Sequence, residues 1–143
     1  MEDQLVEGIV ETEFPVRFAE TDAMGVVHHA AYLVWLEEGR SSWMRALGSD
    51  YAQMVEEGLN LAVSAISVTF RQPARYGDRI RVLTWMKKAR SRGLVVGYTV
   101  RRSRDQQVLL EGETRHICVN RSGAPVVLPD KWLNLFGRYQ AGI

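Results

Sequence analysis

The 143-residue sequence places Asp22 in a short polar segment, Ala19-Glu20-Thr21-Asp22-Ala23-Met24-Gly25, directly ahead of a long apolar stretch that carries His28 and His29. A carboxylate just upstream of a helix start has two uses. It can attack a carbonyl carbon or draw a proton from water, with the free N–H groups and positive dipole end of the helix stabilising the developing oxyanion. It can equally close an Asx-turn or cap the helix, and residue type alone favours that second use. Gly25 suits both, since a tight turn and a close backbone approach each favour glycine.

Metal and thiol chemistry are less well served. His28 and His29 are adjacent, so on helix or strand they project in different directions and make a poor chelate. His116 and Cys118 share one face of a strand, but no third ligand accompanies them and no base is oriented for a cysteine nucleophile. No metal is expected, and Cys118 reads as a small core residue.

Among the remaining charges, Glu37 and Glu38 fall in the middle of a helical pattern, where Glu37 can pair with Arg40 at i+3. Glu56 and Glu57 read as a solvated face. Lys87, Lys88, Arg90 and Arg92 cluster at a turn, with Arg71 and Arg75 in an earlier one. Such runs are solvated turns by default, yet they also suit phosphate groups.

Positioning these residues falls to a recognisable set of elements. Gly8 to Phe18 reads as a strand weakened at Pro15. From His29 to Leu47 the steps Tyr32, Leu36, Gly39, Trp43 and Leu47 predict a helix, stopped by Gly48. A short helix, Tyr51 to Glu57, ends at Gly58. After Asn60 the period drops to 2, and strands follow through Phe70, around Ile80–Trp85, around Leu94–Val100 and over Val108–Val119, at hairpin spacing. Trp132, Leu133, Leu135 and Phe136 predict a final helix. The class is α+β, a single domain over residues 1–143, with about five antiparallel strands. The long helix is apolar over so wide an arc that the sheet is expected to wrap around it.

Composition narrows the function. Hydrophobic residues make up 46% and charged ones 24%, the balance of a globular protein with a real core. Lys and Arg total 18 against 17 Asp and Glu, a net charge of +1, which argues against nucleic-acid binding. The single cysteine permits no internal disulfide, and with no targeting segment visible the cytoplasm is the expected compartment. No apolar run reaches about 18 residues, so no membrane insertion is expected.

The segment Val16-Arg17-Phe18-Ala19-Glu20-Thr21-Asp22-Ala23-Met24-Gly25-Val26-Val27-His28-His29-Ala30-Ala31-Tyr32-Leu33-Val34-Trp35-Leu36-Glu37-Glu38-Gly39-Arg40 resembles the signature of hotdog-fold acyl-CoA thioesterases. The resemblance is to the 4-hydroxybenzoyl-CoA thioesterase type, including its Tol-Pal-associated branch. Ala31 departs from it, since relatives often carry Asn or Ser before the tyrosine.

The resemblance implies a curved antiparallel sheet around one central helix. It implies Asp22 as nucleophile or general base, with His29 providing or adjoining the oxyanion donor. Gly25, Val26 and Tyr32 become candidate substrate contacts, and Arg90 and Arg92 candidates for the phosphates of coenzyme A. No cofactor is implied, coenzyme A being part of the substrate. A homodimer or homotetramer is implied, because one such domain has too little concave surface to enclose the pantetheine arm. Trp35, Trp43, Tyr51 and Met54 suit an acyl pocket and the core or an interface equally, and the acyl group itself is left as short aliphatic or aromatic. An acyl-carrier-protein thioesterase and a non-enzymatic acyl-CoA binder remain alternatives, though a sensor needs no carboxylate at the helix start. A hotdog dehydratase would follow its histidine with a Phe-Pro-type motif, which His28-His29-Ala30 does not reproduce.

Overall fold

The computed structural model describes residues 5–48 and 51–141. Six antiparallel strands form one sheet: β1 (Leu5–Val6), β2 (Ile9–Pro15), β3 (Asn60–Phe70), β4 (Arg79–Arg90), β5 (Gly93–Arg102) and β6 (Val108–Val119), in the order β1-β2-β4-β5-β6-β3. The helices are α1 (His29–Ala46), α2 (Tyr51–Glu56) and α3 (Asp130–Arg138). This is the α+β arrangement of a hotdog domain. The sixth strand arises because Glu7 and Gly8, both at positive φ, turn the chain back on itself and pair Val6 with Ile9. The single strand expected over Gly8–Phe18 also ends sooner. Pro15, which lacks an N–H, is its last residue, and Phe18–Glu20 form a 3-10 turn.

Helix α1 lies on the sheet through Tyr32, Trp35, Leu36, Gly39, Trp43 and Met44, all buried. Its opposite side is open, with Val34, Glu37, Glu38 and Arg45 exposed. Within one chain the sheet wraps the buried face of this helix, as expected, and leaves the outer face open. Helix α3 closes the same core through Trp132 and Phe136. Glu57, expected on a solvated face, joins α2 to α3: its carboxylate accepts from Lys131 Nζ at 2.8 Å and from Trp132 Nε1 at 3.3 Å. Among the described strands β3 pairs with β6 alone, and Val63, Ile66 and Phe70 on it are between 46% and 49% exposed.

Candidate functional site at the start of the central helix

Residues 21–28 form a closed turn. Thr21 bridges Val27, the Asp22 N–H donates to the Val26 carbonyl at 2.9 Å, and the Gly25 N–H donates to the Asp22 carbonyl at 3.0 Å. Asp22 Oδ1 accepts from the Met24 N–H at 2.8 Å and from the Val26 N–H at 3.4 Å. That is an Asx-turn. Asp22 remains exposed, and no described residue bonds its Oδ2. Gly25 has φ +78°, and a Cβ built there would meet nothing within 4 Å. Turn conformation alone selects glycine at this position within the chain.

The cap of α1 is His28, not Asp22. The His28 Nδ1 accepts from the Ala30 N–H at 3.1 Å, and its carbonyl accepts from Ala31. The rings of His28 and His29 stack with centroids 4.2 Å apart, contrary to the divergent directions expected of neighbours in one element. They stack because His28 lies outside the helix, at extended φ and ψ, while His29 is its first residue. No described residue accepts the backbone N–H of His29, so the first turn presents an uncapped donor. Among the described residues no group of His, Cys, Asp and Glu is arranged to hold a metal.

Two side chains hold this turn to the body. Glu20 accepts from Trp35 Nε1 at 2.6 Å, from the Arg17 N–H at 2.8 Å and from the Arg17 guanidinium at 3.0 Å. Burial pushes the Glu20 carboxyl up, but the Arg17 and Trp35 bonds together outweigh it and hold the group below the usual carboxylate range. Tyr32 is 3% exposed, and its hydroxyl accepts from the Ala74 N–H at 2.9 Å. Burial raises its pKa. Sequence spacing carried no signal for the Glu20–Trp35 bond, because it joins a loop to the second turn of a helix. Tyr32 is foremost a strut to the 71–75 segment, with its ring edging a recess of about 290 Å³ lined also by Val27, His29, Phe70, Arg71 and Gln72.

The expected site residues therefore divide. Asp22, Gly25 and Val26 share one turn, His29 and Tyr32 line the recess beside it, and Val26 bridges Arg75. Arg71 and Arg75 thus stand next to the helix start, although their positions in sequence suggested only an earlier turn. Arg90 and Arg92 do not. Both are exposed at the far end of β4, about 35 Å along the strand from Arg79, which follows the 74–78 turn. Lys87 and Lys88 lie in the strand rather than the turn, and Lys87 pairs with Glu113 at 3.3 Å. Trp35, Trp43 and Met54 are buried core residues, while the Tyr51 side chain lies outside the described residues. Cys118 is buried, which pushes its thiol pKa up.

Further along α1, Arg40 forms no ion pair with Glu37 among the described residues. Its guanidinium donates to Tyr98 Oη at 2.9 Å, Tyr98 bonds Thr114 Oγ1 at 2.6 Å, and Thr114 bonds His116 Nε2 at 2.8 Å. Burial, with the Arg40 charge adding to it, lowers the His116 pKa to about 4, the Leu61 carbonyl opposing.

Comparison with known proteins agrees with this architecture. The model of the Thioesterase-like superfamily matches residues 16–136. The chain is 34% identical over 113 residues to "Putative acyl-CoA thioesterase YneP" of Bacillus subtilis, covering 79% of this chain and 81% of that protein. It is 31% identical over 110 residues to the acyl-CoA thioester hydrolase YbgC of Escherichia coli, covering 75% and 81%. The crystal structure of the DHNA-CoA thioesterase from Staphylococcus aureus superposes with a TM-score of 0.86 at 28% identity, over 91% of this chain and 89% of that one. Matched over nearly its whole described length, and sharing its fold with proteins named as thioester hydrolases, the chain is a thioester hydrolase and belongs to the Thioesterase-like superfamily.

Proposed function

We propose that the protein hydrolyses an acyl-CoA, with a short aliphatic or aromatic acyl group, to the free acid and coenzyme A. The observation carrying this reading is the exposed Asp22 carboxylate, whose Oδ1 is held by two turn N–H groups while Oδ2 has no described partner, on the loop that leads into the α1 N-terminus. A thioester carbonyl seated there receives the His29 N–H and the positive helix end as oxyanion donors. Asp22 then takes a proton from water as the hydroxide adds to the carbonyl carbon, or attacks that carbon itself. In either case the C–S bond breaks and the thiolate leaves to be protonated, and on the nucleophilic route water then hydrolyses the acyl–Asp22 anhydride to the free acid and Asp22. This follows the 4-hydroxybenzoyl-CoA thioesterase type that the signature resembles. Hydrolysis rates over a panel of aliphatic and aryl acyl-CoAs, for the wild type and Asp22→Asn, test it. Activity on no member overturns it.

The working unit in this reading is a homodimer or larger. From Ala62 to Phe70 strand β3 presents an edge that no other described strand pairs, with apolar side chains exposed along it, and such edges are normally paired or covered. The length of β4 also separates Arg90 and Arg92 from Asp22 in the same chain. They reach the phosphates of a coenzyme A at this site only from a second copy. Light scattering that finds only the 16.2 kDa monomer at micromolar concentration rejects this assembly.

A further inference from the structure

Between α1, α3 and the sheet lies a cavity of about 310 Å³, distinct from the recess at the helix start. Trp43, Met44, Met86, Leu94, Val96 and Phe136 make its walls apolar. Arg40 and His116 also line it, and Glu37 lines it from the exposed side of α1. Arg40 is three turns beyond His29, about 16 Å along the axis.

A hydrogen-bond chain runs behind this lining. Arginine can only donate, so Tyr98 accepts from Arg40, and Tyr98 in turn bonds Thr114, which bonds His116 Nε2. The His116 Nδ1 is buried and not open to the cavity. The Arg40 guanidinium spends one donor on Tyr98 and faces no carboxylate within ion-pair distance among the described residues. Arg40 is the one fixed positive charge among the residues lining the cavity, with Glu37 at its outer side.

We propose that this cavity binds an apolar molecule ending in a carboxylate, with the carboxylate on Arg40 and the hydrocarbon against Trp43, Met44 and Phe136. A guanidinium with no paired carboxylate, set among apolar walls, selects an anionic group. The volume equals about ten water molecules, room for a ligand of about ten heavy atoms. The site does not depend on the Asp22 chemistry.

Octanoate, octanamide and octylammonium are the probes, titrated by calorimetry and by Trp43 fluorescence. Octanoate should bind about 10- to 100-fold tighter than octanamide, the worth of a charge-assisted contact, and octylammonium should bind weakest. Arg40→Met should bring octanoate and octanamide within a few-fold of each other. Ser41→Phe, at a half-exposed position lining the cavity, should abolish binding of all three while the thermal midpoint stays near wild type. Equal binding of octanoate and octanamide by wild type, no binding of octanoate, or unchanged affinity in a folded Ser41→Phe overturns the proposal. Inhibition of acyl-CoA hydrolysis by octanoate separates the two sources of such a group. Competitive inhibition that disappears in Ser41→Phe assigns the cavity to the carboxylate-ended tail of a thioester substrate, and non-competitive inhibition that disappears in Ser41→Phe to a free acid.

Discussion

Trp35 Nε1 and Glu20 Oε2 lie 2.6 Å apart, a charge-assisted bond from the second turn of α1 to the 3-10 turn that precedes Asp22. It fixes the approach of the candidate catalytic loop to the helix. Trp35→Phe removes the donor and leaves Glu20, only 10% exposed at its side chain, with Arg17 alone. The expected cost is about 1.5–3 kcal/mol in urea unfolding at neutral pH. Since the Glu20 pKa is depressed in the folded chain, its contribution is present above the ordinary carboxylate range and is lost as pH falls through the folded value. A Trp35→Phe deficit that stays constant down to the acid transition contradicts this.

Asp22→Asn should keep the fold and lose the activity. Asparagine accepts the Met24 N–H as aspartate does, and the helix cap belongs to His28, so stability should change by less than about 1 kcal/mol. Removing the negative charge should lower kcat by about 10²–10⁴ as general base, and by more as nucleophile. Single-turnover hydrolysis in ¹⁸O-water separates these roles: label entering the product acid directly marks a general base, and label entering Asp22 a nucleophile. A folded Asp22→Asn protein within a few-fold of wild-type kcat refutes both.

Gly39 should resist alanine despite its place inside a helix. Alanine gains about 1 kcal/mol in helix propensity over glycine. A Cβ at Gly39, however, would run into Thr84 Oγ1 and sit 2.9 Å from Val82 Cγ1, in a buried contact between α1 and β4 that has no slack. Overpacking of this kind costs about 1–3 kcal/mol, more than the propensity returns. Gly39→Ala should therefore lower the thermal midpoint, and a raised midpoint would mean that α1 can lift from β4 freely.

His116 should make stability pH-dependent. Its folded pKa of about 4 lies below the ordinary 6.5, so the unfolded chain takes up the proton first. Stability should be full above about pH 6.5, fall by up to about 1.4 kcal/mol per pH unit towards pH 4, and level off below. The total is about 3 kcal/mol. His116→Gln removes the titration while still offering Thr114 an acceptor. The difference between the wild-type and variant urea midpoints should vary across this window, and parallel curves would count against a buried neutral imidazole.

Arg90→Ala with Arg92→Ala should raise KM for acyl-CoA and leave kcat nearly unchanged, if the phosphate contacts are equal in ground and transition states. The double variant should also lose the distinction between acyl-CoA and the acyl-pantetheine that lacks the nucleotide. If that distinction survives there but disappears in Arg71→Ala with Arg75→Ala, the phosphate contacts lie within one chain, beside the helix start.

The long helix, the four strands after Asn60 and the final helix were legible in the residues because each rests on a local pattern, whereas the short strand Leu5–Val6 and the 3-10 turn were not. The three- and four-residue steps from Tyr32 to Trp43, the change to period 2 after Asn60 and the breaks at Gly48 and Gly58 are set by backbone geometry within a few positions. The segment around Asp22 was legible in the same way, as a contiguous run. What tertiary structure alone decided is which distant groups meet. His28 takes the cap that Asp22 was equally suited to, because extended backbone at residue 28 turns its ring onto the Ala30 N–H. Arg40 passes over Glu37, its neighbour at i+3, for Tyr98 58 positions away, because α1 docks on β2 and β4 and the long Arg40 side chain reaches Tyr98 on β5 from there. Arg71 and Arg75 join the helix start while Arg90 and Arg92 are carried a strand's length away, and nothing local records how far β4 runs before it turns. Short-range periodicity fixes an element's type and its buried face, but pairing across the sheet and the docking of α1 set the site.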